Sequence, residues 1–455
     1  MHPGAPVTVD ALLARELELF DREHPRSREL ATAAQKSLLS GVPMPWMIRW
    51  AGGFPVFAAE AGGARFRDVD GHEYVDFCLG DTGAMTGHSP EPTVRAIAEQ
   101  ARRGITLMLP SEDALWVGHE LARRFGLPRW QFALTATDAN RFAIRLAREL
   151  TGRPKILVFN WCYHGTVDET FAALGPDGSV VSREGNVGPP VPLAETTRVV
   201  EWNDAEALER ELAHGDVACV LAEPALTNIG IVLAEPGFHD ALREITRAAG
   251  TLLIIDETHT ICAGPGGYTA AYGLEPDLLT IGKPIAGGLP AAAYGFSGEV
   301  AERLEAMLPA DERADVGGIG GTVAANVLSL AAMRATLADV LTDEAFERMI
   351  ALGERFEAGV AQVIEGHGLP WHVTRLGCRV EYLFRPERPR NGSEAAAGGD
   401  AELDRLIHLY ALNRGILLTP FHNMALMSPA TTEADVDTHT KVFDEAAGEL
   451  AGGLV

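Results

Sequence analysis

The chain has 455 residues, too long for one ordinary core, so two or three domains are expected. Its net charge of -25, with no basic block, argues against nucleic acid or an anionic membrane as a partner. The five cysteines, Cys78, Cys162, Cys219, Cys262 and Cys378, are odd in number and form no CxxC pair, so neither a disulfide framework nor a structural metal site is expected. The N-terminal stretch lacks a basic region followed by an apolar one, and no segment is apolar for long enough to span a bilayer. A cytoplasmic location is the expectation.

In chain order, the first forty residues predict amphipathic helix, with Asp10 as N-cap before "ALLARELELF". "PVFAAEAGGARFRDVDGHEYVDFCLG" predicts short strands turning at Gly62-Gly63 and Asp70-Gly71. Helices are then expected at "PTVRAIAEQARR" and "DALWVGHELARRF", and a strand at "WQFALT". "DANRFAIRLARELTG" reads as a helix closed by Gly152, followed by the strand "KILVF". The apolar runs "VACVLAEPA" and "TLLIIDET" flank the helix "PGFHDALREITRAAG". Short continuous apolar runs between helices indicate a parallel sheet covered on both faces. "ANVLSLAAMRATLADV" is a long helix leading out of this region, and mixed strands and helices follow, including "GCRVEYLF" and "ADVDTHTKVFDEAAGELAG". "RPERPRNGSEAAAGGD" reads as a mobile surface loop.

Ligands of such sheets bind beyond the carboxyl ends of the strands. Polar residues gather at five of those ends: "LTATDAN", "FNWCYHG", "LAEPA", "IIDETHT" and the loop "TIGKPIAGGLP". Asp256 follows a run of buried-strand character, where a carboxylate is costly unless it meets a cation or donor; a helix cap or a buried salt bridge would explain it as well. Lys283 is one of only four lysines, and it ends the apolar run "DLLTI". A desolvated amine suits Schiff-base chemistry, and a solvent-exposed helix or loop lysine explains the same stretch. Amine and acid on one rim are the pair pyridoxal phosphate needs, the lysine for its aldehyde and the acid to keep its ring nitrogen protonated. "TATDAN" starts a helix, whose backbone N–H groups and dipole favour a phosphate; ordinary capping explains the same residues. Tyr163, at a strand end beside a glycine, either stacks on a planar cofactor or packs.

"LLIIDETHT…GLEPDLLTIGKPIAGGLPAAAYG" resembles the signature of class III (fold-type I) pyridoxal-phosphate aminotransferases, in the branch of glutamate-1-semialdehyde aminomutases and β-amino-acid and amine transaminases. The resemblance runs from "FPVFAAEAGGARFRDVDGHEYVDF" to "SPATTEADVD", nearly the whole chain. It implies an α/β fold-type I transferase: a large domain with a mostly parallel sheet between helices, and a small α+β domain built from both termini. On this reading residues 1–75 belong to the small domain, 76–325 form the large cofactor-binding domain, and 326–455 complete the small one. It implies pyridoxal 5′-phosphate as cofactor and amino transfer by ping-pong half-reactions between an amine or amino acid and a carbonyl compound. An aminomutase, racemase or lyase would share the same residues.

By position, the resemblance implies that Lys283 binds the aldehyde and moves the proton, and that Asp256 pairs with the ring nitrogen. Ala136 and Thr137 would bind phosphate, Tyr163 would stack on the ring and Thr258 would lie against its other face. His259 would point toward the phenolic oxygen, with Glu223 an acid near the site. Thr322 of "GIGGTVAAN" would reach the partner subunit's phosphate, which implies a homodimer with shared sites. The chain departs from the pattern at the substrate subsite. Trp46 stands where relatives carry a carboxylate-binding arginine, Asp81 replaces an aromatic, and His422 and Asn423 replace an acid. Either Arg379 or Arg49 serves a carboxylate from elsewhere, or the subsite takes an apolar, aromatic or cationic group.

Overall fold

The computed structural model describes residues 8–307 and 317–454. They divide into two compact units, one of residues 91–346 with 389–397, the other of 1–90, 347–388 and 398–455.

The first of these is built on a seven-stranded sheet. Its strands lie in the order Arg129–Ala133, Ala292–Phe296, Leu278–Ile281, Leu252–Asp256, Val217–Ala222, Lys155–Phe159 and Thr197–Val200. Ala292–Phe296 runs antiparallel to both its neighbours, and the other six strands are mutually parallel. Val217–Ala222 and Leu252–Asp256 are buried throughout, the pattern of strands covered on both faces. The helices Ala136–Thr151 and Phe238–Ala249 pack on this sheet. Gly152 closes the first of them in the left-handed conformation, as expected. Six carboxyl ends therefore share one edge, and every polar cluster singled out above lies on it.

The expected domain boundaries at 75/76 and 325/326 differ from those of the packing. Helix Val327–Asp339, read as leading out of the sheet unit, belongs to it. It packs along Glu91–Ala101, and the buried Arg124 guanidinium donates to the Leu337 and Leu341 carbonyls at 2.7 and 2.9 Å. The stretch read as a mobile loop is also different. It holds the short helix Gly392–Ala396, capped by the Asn391 side chain accepting from the Glu394 N–H. The Ser393 hydroxyl contacts both Glu201 and Asn160, so the segment is tied down where its composition suggested none of this.

The other unit carries helices Val9–Glu23 and Pro25–Ala34 and a four-stranded sheet of Ala58–Gly62, Arg65–Asp68, Glu73–Asp76 and Ile416–Leu417. A three-stranded antiparallel sheet is made by His372–Leu376, Arg379–Leu383 and Met424–Leu426. The N-cap of the first helix is Thr8, which accepts from the Ala11 N–H, whereas Asp10 sits inside the first turn. Both residue types cap; here Thr8 has the extended backbone a cap requires. Residues 1–7 of the predicted helical stretch lie outside the described residues. Among the described residues no helix is long and apolar enough to cross a membrane.

Candidate active site

Asp256 ends its strand and is buried. Its Oδ2 accepts from Asn140 Nδ2 at 2.8 Å and bonds His164 Nδ1 at 2.9 Å, while Oδ1 accepts from the Thr258 N–H at 3.0 Å. Burial opposes its charge, yet hydrogen bonding and charge from His164, with Thr258 and Asn140, hold the carboxyl below its usual range. His164 is the complement. Burial disfavours its imidazolium, but Cys162 and the Asp256 bond outweigh that and push it up to about 10. The result is a carboxylate kept ionised in the interior. Asn140 is itself fixed, because the buried Thr280 hydroxyl donates to its Oδ1 at 2.6 Å.

Lys283 follows the neighbouring strand. In the register of the two strands Asp256 lies opposite Thr280, so the acid and the amine leave the same edge three residues apart. Lys283 is half-buried rather than fully desolvated, and its Nζ lies 2.8 Å from His259 Nε2. Its φ of 51° is left-handed, a conformation that costs a non-glycine residue about 1 kcal/mol or more and that collects at functional sites.

The helix start predicted to take phosphate sits directly beside this lysine. A Cβ on Gly282 would come within 3.1 Å of the Ala136 nitrogen and Cβ, so glycine lets the lysine turn lie this close to the first helical residue without crowding it. Thr135 caps the helix by accepting from the Asp138 N–H. The Thr137 hydroxyl accepts from the Thr166 N–H at 3.0 Å. Gly165, at φ 75°, leaves room for it, since a Cβ there would overlap the Thr137 oxygen at 2.1 Å. That contact ties the helix start to the turn after Tyr163 and His164.

Glu223 is buried, accepts from the Tyr163 N–H at 3.1 Å and bonds the Thr227 hydroxyl. Burial pushes its carboxyl up, against those donors and the His164 charge. These contacts orient the loop that presents Tyr163. The Thr258 hydroxyl is buried without a hydrogen-bond partner among the described residues. Thr322 lies in an exposed turn.

Three predicted substrate residues belong to the other unit. Trp46 is 37% exposed, in the turn Pro45–Ile48, with its ring edge-on to Phe421. Asp81 is half-buried with φ 50°. Arg379 is fully buried, its Nη2 3.8 Å from Glu381 Oε2, and Glu381 Oε1 is 3.2 Å from His422 Nδ1. Sequence reasoning missed Asn140 and His164. The signal for Asn140 was present: a polar residue on the helix stripe of Ala139, Ala143, Ile144 and Ala147, which is buried.

These residues fit pyridoxal phosphate. A buried carboxylate held ionised suits a protonated pyridine nitrogen, a helix start, whose first N–H groups have no partner within the helix, suits a phosphate, and a buried hydroxyl with no partner among the described residues suits a polar ligand.

Comparison with known proteins bears on this reading. The family model described as aminotransferase class-III matches residues 47–446. The glutamate-1-semialdehyde 2,1-aminomutase of Chloroflexus aggregans is 33% identical over 450 residues, covering 95% of this chain and 100% of that protein. The crystal structure of a glutamate-1-semialdehyde-aminomutase from Pseudomonas aeruginosa PAO1 is 53% identical, with TM-score 0.95 over 97% of this chain and 98% of that one. A lysine-to-alanine variant of it was solved in complex with PMP. An omega-transaminase from Sphaerobacter thermophilus is 30% identical, with TM-score 0.85 over 94% and 99% of the two chains.

Proposed function

This chain belongs to the class III aminotransferase family and is a pyridoxal-phosphate enzyme of the fold-type I architecture; from that premise we propose that it transfers an amino group from an amine or amino acid to a carbonyl acceptor. The cofactor, when bound, supplies the electron sink that stabilises negative charge at the substrate carbon. The chain's own residues do the rest. Asp256 keeps a proton on the ring nitrogen, and this is the observation that carries the proposal: three donors hold that carboxylate ionised where burial alone would neutralise it. Lys283 would hold the cofactor's aldehyde, and its amine would move the proton at the reacting carbon. His259, 2.8 Å away, orients its amine. Ala136 and Thr137 anchor the phosphate at the helix start, and Tyr163 and Thr258 flank the ring. The exposed turn of Thr322 reaches a phosphate in a second copy of the chain, making a homodimer.

For the donor, the observations favour an amine, or a β-amino acid held without a charged fork. Trp46 offers an indole face where relatives carry arginine, and the Arg379 guanidinium is 0% exposed beside Glu381. The names of the relatives favour a second reading, an aminomutase that moves the amino group within one substrate. Two assays separate these. A transaminase converts its bound cofactor stoichiometrically to the pyridoxamine form with donor alone, and turns over only when a keto acceptor is added. Turnover of glutamate 1-semialdehyde with no second substrate would overturn the transaminase reading. For the donor subsite, kcat/KM is compared for a β-amino acid and its decarboxylated amine, in wild type and Arg379→Ala. A strong preference for the acid that vanishes in Arg379→Ala would refute the amine reading.

A further inference from the structure

Cysteine spacing gave no reason to expect a metal, but histidines far apart in the sequence meet at the junction of the first two helices. His24 is at once the last cap of Val9–Glu23 and the first of Pro25–Ala34. Asp68 ends the strand Arg65–Asp68, and His72 precedes the strand Glu73–Asp76 that carries Tyr74. His24 Nε2 lies 3.5 Å from Asp68 Oδ2, and His72 Nδ1 lies 3.0 Å from the same oxygen. All three ligand atoms fall within 4.8 Å of one another.

The hydrogen bonds of this cluster do not close by themselves. His24 Nδ1 is 2.8 Å from the Phe20 carbonyl, an acceptor only, so that nitrogen carries the proton of a neutral ring. His24 Nε2 then presents a lone pair, 2.8 Å from the Tyr74 oxygen. The Tyr74 oxygen is also 2.8 Å from Asp68 Oδ2. One phenolic proton cannot serve both contacts, so two lone pairs face each other at hydrogen-bond distance. A cation at the centre would take the His24 Nε2 lone pair and remove the conflict.

We propose that His24 Nε2, Asp68 Oδ2 and His72 Nδ1 form a zinc site that pins the junction of the two N-terminal helices to the first strands of the sheet. Two imidazoles and a carboxylate are zinc ligands, and bonds of about 2.0 Å in tetrahedral geometry place ligand atoms ~3.3 Å apart, between the 3.5 and 3.0 Å that separate Asp68 Oδ2 from His24 Nε2 and His72 Nδ1. The outer contacts that orient zinc ligands are already made. The Phe20 carbonyl fixes the His24 tautomer, and Asp68 Oδ1 accepts from the Asp70 and His72 N–H groups at 2.9 and 2.8 Å. His24 and Asp68 are buried while the His72 side chain is 36% exposed, which leaves an entry path from the His72 side.

The test is a zinc titration of chelator-stripped holoenzyme, by calorimetry and by competition with a chromogenic chelator. One zinc per chain is expected, with affinity falling at least about a hundredfold in His72→Ala and Asp68→Asn. Zinc should raise Tm in wild type and leave it unchanged in His72→Ala. Because the His72 ring is partly exposed, that variant is expected to fold, and circular dichroism checks it. Cobalt in place of zinc should give the visible bands of a tetrahedral ion in wild type only. The cofactor's absorbance should not move in either titration. Failure to bind zinc tighter than micromolar, or binding that His72→Ala leaves intact, overturns the proposal without touching the aminotransferase reading.

Discussion

Replacing Asn140 by leucine tests whether the interior acid depends on its hydrogen-bonded frame. The two side chains have similar volume, so the change removes polar atoms without opening a large cavity. In the native protein the fully buried Thr280 hydroxyl donates to Asn140 Oδ1 at 2.6 Å, and Asn140 Nδ2 donates to Asp256 at 2.8 Å. Leucine leaves the Thr280 hydroxyl unsatisfied, at about 1–3 kcal/mol. It also takes a donor from a buried carboxylate, about 1.5–3 kcal/mol for a charged acceptor, nearer the lower end because His164 and Thr258 remain. The sum is about 3–5 kcal/mol, a large share of the ~5–15 kcal/mol that holds a typical protein folded. Urea unfolding of the holoenzyme, followed by fluorescence and by cofactor absorbance, should show a lower midpoint at unchanged slope. Thr280→Val supplies the second arm. Alone it strands Asn140 Oδ1 and destabilises; added to Asn140→Leu it removes the orphan hydroxyl and should restore about 1–2 kcal/mol. A loss below ~1 kcal/mol in Asn140→Leu would refute the reasoning. So would a Thr280→Val effect of the same sign in both backgrounds.

Asp256→Asn should fold and bind cofactor but lose most of its kcat, since a neutral partner no longer favours a protonated ring nitrogen; a near-normal rate would assign that role to another group. His164 has a folded pKa of about 10, raised by Cys162 and Asp256 against burial, above its unfolded value of ~6.5. Its contribution is thus complete below pH ~6.5 and lost as pH rises toward about 10. Asp256 works in the other direction, stabilising above ~3.9 and failing as pH drops through its lowered folded value. His164→Phe should therefore be less stable than wild type at pH 6, with a gap that narrows toward pH 10; a constant gap across midpoints at pH 6, 8 and 10 contradicts the assignment. Finally, mixing Lys283→Ala with Thr322→Ala subunits should recover part of the activity, because a shared-site heterodimer gathers both lesions in one site and leaves the other whole. A fully active monomer in sedimentation would end the dimer proposal.

Asp256 and Lys283 stood out in the sequence because each terminates an apolar run, where a charge needs a partner, and the structure brings both to one edge of the sheet. The family resemblance turned that pair into a cofactor and a fold, and the matches to known proteins agree with both. What stands around the acid was not legible. Asn140 and His164 reach Asp256 from 116 and 92 residues away, and each alone reads as a helix polar residue or a strand-end histidine. The Lys283 backbone conformation was hidden for another reason, because lysine is not a residue that announces a left-handed turn. Helix Val327–Asp339 misled by lying after the last strand of the sheet, although its partners are helices far earlier in the chain. The segment around Gly392 misled by composition: its order comes from Glu201 and Asn160, which local propensity does not register. At the N-terminus two cap residues stood two apart, and only backbone geometry chose Thr8.

Strand Ala292–Phe296 runs against its neighbour, and this decides how the reactive amine is tethered. In a parallel crossover, the chain leaving Ile281 would travel to the far edge of the sheet through a dozen or more residues, usually a helix. Here it re-enters the sheet at Ala292, on the edge it left. The span carrying Lys283 is thus short and clamped at both ends by hydrogen-bonded strands, so little loop entropy opposes its closure. In the role proposed for Lys283, movement of its amine toward and away from the cofactor would fall to the side-chain torsions, which turn over in picoseconds to nanoseconds where exposed.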